Sequence, residues 1–145
     1  MDNFSSPRKL LALALAAILV MLSACVIMSP VKNVGVALSG AEEVPPVATD
    51  ARGSGTIMVA DNMSVSGNVA TSGVAGVAAH IHVGSRGENG PVAIGLVKTA
   101  DNTWAVPSGA KFTPEQYAAF LAGRTYVNVH TPANKGGEIR AQLTP

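Results

Sequence analysis

An all-β domain, an antiparallel β-sandwich or closed Greek-key barrel, is the fold this sequence predicts, on three observations. The chain has 145 residues with 15 glycines and nine prolines, and only 13% of its residues are charged, a composition of strands and turns rather than of a helical bundle. About seven or eight short apolar-polar alternating runs follow one another in roughly 110 residues, each closed by a turn signal. Only one segment, near 114–122, carries the marks of a helix.

Taken in order, Val34, Val36 and Leu38 alternate with small residues as a first strand. Ser39 to Pro46 is a loop, because the adjacent Pro45 and Pro46 have no amide hydrogen for a ladder. Gly55–Ala60 and Met63–Thr71 read as a hairpin turned by Asp61-Asn62, with Met63, Val65 and Val69 inward and Ser64, Ser66 and Asn68 outward. Val74–Val83 is the next strand, ended by the glycine-rich loop Gly84–Gly90. Pro91–Thr99 resumes with Val92, Ile94 and Leu96 on one face, and Thr103–Val106 is a short strand.

Thr113 is an N-cap, Pro114 suits the first helical position, and Gln116 completes a capping box, with Phe112 and Tyr117 as a hydrophobic staple. The helix stops at Gly123, and Tyr117, Phe120 and Leu121 are expected to pack it against a sheet. Thr125–His130 and Glu138–Leu143 are the last strands, joined by the hairpin loop Pro132–Gly137.

The start of the chain reads differently. Arg8-Lys9 precede an apolar run from Leu10 to Leu22, then Ser23-Ala24 and the single cysteine, Cys25, as in an export signal. The run is shorter than the roughly 20 residues a spanning helix needs, although Val26-Ile27-Met28 extend it and leave an uncleaved anchor as the alternative. Leu22-Ser23-Ala24-Cys25 resembles the lipobox of bacterial lipoproteins. That resemblance implies a signal peptide over 1–24, a lipidated Cys25 with a linker over 25–33, and a domain over 34–145. The domain would then be held to a bacterial membrane, facing the periplasm or the exterior. With Cys25 so used, no thiol is left for a disulfide.

Arg8, Lys9 and Asp2 account for the whole formal charge of +1, so the chain from Cys25 onward is neutral. A nucleic-acid partner needs a clustered excess of Lys and Arg, and none is present. No serine triad, nucleophilic cysteine, phosphate loop or paired acidic motif points to catalysis.

The chemistry lies in three histidines. His80 and His82 stand on one face of a strand, because side chains alternate. In the penultimate strand Val127 and Val129 take the core side, leaving Tyr126, Asn128 and His130 on the other face. In the last strand Ile139, Ala141 and Leu143 point inward, and Glu138, Arg140 and Gln142 outward. If the His80 strand lies beside these two, the outward residues form one patch holding all three histidines. Neutral imidazoles with no thiolate suit copper or zinc, copper being favoured by intrinsic affinity, with Tyr126, Asn128, Glu138 and Arg140 orienting the ligands. Two alternatives are a metal-free module contacting a protein or glycan, and a metal-dependent enzyme.

Three motifs resemble the CHRD domain, the module repeated in chordin and found singly in bacterial exported proteins. They are Leu38 to Pro46, then Ala79-His80-Ile81-His82-Val83-Gly84 with Gly90-Pro91, and Tyr126 to Thr131 with Gly137 to Leu143. The resemblance spans Val36 to Leu143 and implies an immunoglobulin-like or barrel fold, without an agreed activity. His80-x-His82, and Gly123-Arg124-Thr125 leading to His130, are also similar to the copper-ligand runs of copper-zinc superoxide dismutases. That similarity implies at most a three-histidine copper site, because the chain has no further histidine and no cysteine pair.

Overall fold

The computed structural model describes residues 30–145. The export signal and Cys25 lie outside the described residues. Nine antiparallel strands, one α-helix and a 3-10 turn (Gly40–Glu42) make up the described domain: β1 (Val31–Ser39), β2 (Arg52–Ala60), β3 (Val65–Ser72), β4 (Ala78–Val83), β5 (Val92–Gly95), β6 (Val97–Ala100), β7 (Thr103–Ala105), α1 (Pro114–Leu121), β8 (Thr125–His130) and β9 (Ile139–Leu143).

All nine strands belong to one sheet, in the order β5-β4-β8-β9-β1-β2-β3-β7-β6. Its two edge strands, β5 and β6, are consecutive in the chain and separated only by Leu96. A single residue therefore holds the two edges together and curls the sheet into a nearly closed barrel. Leu96 itself is buried, and its amide donates to the Ala79 carbonyl of β4 at 2.9 Å. Gly67, at φ 120°, helps β3 follow the curl, since a side chain there would run into the backbone of β2.

The interior is filled from alternate positions of every long strand. Leu38, Ile57, Val59, Val69, Ile81, Val127, Val129, Ile139 and Leu143 are fully buried. Ser66 and Asn68 are exposed, as their alternation predicts. Thr113 and Gln116 form both halves of the capping box at the start of α1. The helix plugs the barrel with Ala119 and Phe120.

Several expected bounds and placements change; the strand expected over Val74–Val83 begins only at Ala78. β1 begins at Val31 rather than Val34, because Val31, Lys32 and Asn33 find partners in Ala60, Val59 and Met58. Met63 is not a strand residue but the left-handed corner of the hairpin, at φ 67°. The run from Pro91 to Thr99 is not one strand but two, bent at Leu96, which leaves Val92 half-exposed. Leu121 does not pack on the sheet; it is 47% exposed, with Phe120 taking the core position.

Candidate metal centre

β8 lies between β4 and β9, and its register decides which side chains meet. His80 pairs with Asn128, His82 with Tyr126, and His130 with Ala78. His80 and His130 are thus diagonal neighbours on one face, and His82 stands two residues along from His80. Their rings converge: centroids of His80 and His130 are 4.7 Å apart, of His80 and His82 5.5 Å, and of His82 and His130 5.8 Å. One ring nitrogen from each lies within 4.8 Å of the others.

Backbone carbonyls set the tautomers. A carbonyl only accepts, so His82 Nδ1–H donates to the Gly90 carbonyl at 2.9 Å and His130 Nδ1–H to the Lys135 carbonyl at 2.9 Å. Nε2 of each ring then carries a lone pair, which in His130 accepts from His80 Nδ1–H. His130 Nε2 lies 2.9 Å from His80 Nδ1, and His82 Nε2 is buried with no partner at all. The cluster thus sets one unpartnered buried imidazole nitrogen beside two other rings, a donor set that fits a transition-metal ion. Burial, reinforced by the neighbouring histidines, holds His80 below the ordinary histidine range. Burial also lowers His82, against the opposing pull of the Gly90 carbonyl. Both are neutral near pH 7, as ligands must be.

The rest of this face is not the solvated patch expected from strand alternation. Arg140, Tyr126 and Asn128 are 1%, 2% and 1% exposed. Two loops cover them. The 84–90 loop accepts from Arg140 at the Ser85 carbonyl and at Asn89 Oδ1, and from Gln142 at the Gly84 carbonyl. The second loop, 40–50, is tied to the first by Asn89 Nδ2 on the Val44 carbonyl and by the Arg86–Glu42 ion pair. Underneath, Tyr126 stacks on His82 with centroids 4.8 Å apart and planes 2° from parallel, while the Arg140 guanidinium carbon lies 3.4 Å from the Tyr126 centroid. The Gly90 amide donates to Tyr126 Oη at 3.2 Å. His82 is therefore held on one side by the loop carbonyl and on the other by a braced aromatic ring.

Glu138 is placed elsewhere. Its carboxylate accepts from Thr49, Thr131 and Asn134, and the Thr131 hydroxyl above all keeps it below the usual carboxylate range. It braces the Pro132–Gly137 hairpin that carries the Lys135 carbonyl, rather than touching a histidine. Sequence reasoning missed Glu43, Gly90 and Lys135. Glu43, on the second loop itself, is 3% exposed, and burial pushes it up to about 7 against the opposing charge of Arg140. Its one sequence signal is an acid set beside the two prolines of the Leu38–Pro46 motif.

The CHRD domain model matches residues 34–143. The chain belongs to the CHRD domain family. The match takes in the three histidines, the two covering loops and the Arg140 strand of this CHRD domain together. Comparison with curated proteins and with solved structures returns no match.

Proposed function

We propose that this CHRD protein is a lipid-anchored, exported binding protein whose three histidines hold one transition-metal ion, copper in preference to zinc, for storage or delivery. The observation that carries the proposal is the convergence of His80, His82 and His130 with the buried, unpartnered Nε2 of His82. Copper is preferred on donor chemistry: three imidazole nitrogens with no thiolate bind copper(II) more tightly than zinc. Bound there, the ion would supply Lewis acidity or one-electron chemistry; the chain supplies neutral ligands, fixed tautomers and a braced His82.

The test is copper titration of the detergent-solubilised full chain, read by electron paramagnetic resonance. One copper per chain with nitrogen hyperfine structure is expected, and His80→Ala or His130→Ala should abolish it while circular dichroism stays unchanged. Stoichiometric binding that survives both substitutions removes the site.

A second reading, a module that contacts a protein or glycan without metal, draws on the exposed Val77 and Val92 beside the histidines. It predicts partner binding that chelators leave untouched.

A further inference from the structure

The histidines form the floor of an open cleft of about 500 Å³. Val77, Val92 and Pro132 line it, and among the described residues Lys135 is its only charged lining residue. Val77 is 61% exposed and Val92 52%, so the apolar side chains face the opening rather than the core. Among the described residues no carboxylate lines the cleft, and the Glu138 carboxylate beyond Thr131 is already committed to three hydrogen bonds.

An ion held by three neutral imidazoles keeps its whole charge, and Lys135 adds another. That concentrated positive charge lets an anion compete with water for the remaining coordination position. The anion's kind follows from the walls. Phosphate or sulfate would need several hydrogen-bond donors to replace its water, and the cleft has few: the Thr131 hydroxyl donates to Glu138, and the Nδ1–H groups of His82 and His130 are taken by carbonyls. A carboxylate needs donors at one end only and can turn a hydrocarbon tail to the valines.

We propose that the cleft binds a small aliphatic monocarboxylate, its oxygens on the histidine-held metal and the Lys135 ammonium and its chain against Val77, Val92 and Pro132. This rests on the metal reading above, and the experiment separates the two.

The detergent-solubilised full chain is first titrated with copper(II), then the copper-loaded chain with acetate, butyrate, hexanoate and inorganic phosphate, followed by visible absorption and electron paramagnetic resonance. A fully buried methylene contributes about 0.8 kcal/mol, so in this open cleft each added methylene should tighten binding by about two- to fourfold. Lys135→Ala, compared with wild type at equal bound copper, should weaken every carboxylate about fivefold, the effect of one exposed charge. Val77→Ser with Val92→Ser should flatten the dependence on chain length. No copper uptake overturns the metal reading and the carboxylate site with it. Copper uptake with no response to carboxylates, a response independent of chain length, or phosphate binding more tightly than hexanoate overturns the carboxylate site alone.

Discussion

Glu43 and Arg140 are both almost fully buried on the histidine face, and the protein must keep their charges compensated there. Burial raises the Glu43 carboxyl from 4.5 to about 7, outweighing the Arg140 charge and Asn128, which both lower it. The folded state then keeps a proton that the unfolded chain has released. Stability from this group is whole below pH about 4.5 and falls as pH rises through about 7. Over the span from pH 5 to about 7 that shift amounts to about 2–3 kcal/mol. Glu43→Gln, which cannot ionise, should therefore lose less stability than the wild type between pH 5 and pH 8, by about that amount. Urea unfolding at the two pH values reads the difference; parallel pH profiles would show that Glu43 is ionised throughout. His80 and His82 act in the opposite sense. Their lowered values make protonation costly in the fold, so their contribution is whole above the ordinary value of 6.5 and is lost as pH falls below it.

At the level of elements, the site depends on β8 having β4 on one side and β9 on the other, and on the loop that closes over them. The strand alternation that puts Tyr126, Asn128 and His130 on one face was legible, because Val127 and Val129 mark the opposite face. Alternation says which residues share a face, not whether that face meets water. Here the cover comes from residues 84–90 and 40–50, whose glycines and prolines mark turns but not destinations. Gly90 shows the dependence in one residue. Its carbonyl orients His82 and its amide holds Tyr126 Oη, while a Cβ would overlap the Val83 carbonyl oxygen. Gly90→Ala should displace the loop and lower copper affinity about 10- to 100-fold, as losing a ligand-orienting partner does, with strand content preserved by circular dichroism. Unchanged affinity would mean that the loop does not orient His82. The helix was the most legible element, since Thr113, Pro114 and Gln116 act within one turn and need no distant partner. Leu121 was misplaced because a helix of eight residues has too few turns to define its buried stripe.

For the whole molecule, the barrel closes through Leu96 and leaves the histidine face near the β5 edge, where Val92 and Val77 open toward solvent. Among the described residues no helix is long and apolar enough to cross a membrane. Membrane attachment in the proposal rests on Cys25, in the Leu22-Ser23-Ala24-Cys25 run. Two or more acyl chains, at about 0.8 kcal/mol per buried methylene, hold a protein on a bilayer stably. Cys25→Ser should therefore block acyl incorporation, measured by mass spectrometry of the membrane fraction. Acyl incorporation in the variant equal to wild type would rule out Cys25 as the anchor.

The sequence by itself determined the all-β class, the helix and its cap, the strands that carry the histidines and the family motifs, because each depends on periodicity or on turn chemistry within a few residues. Tertiary structure alone decided that His130 meets His80 diagonally, that Arg140, Tyr126 and His82 stack beneath two loops, and that Glu43 is buried beside them. Those outcomes depend on strand order and loop paths, which are set by contacts between residues as far apart as Ser85 and Arg140. No local pattern encodes them.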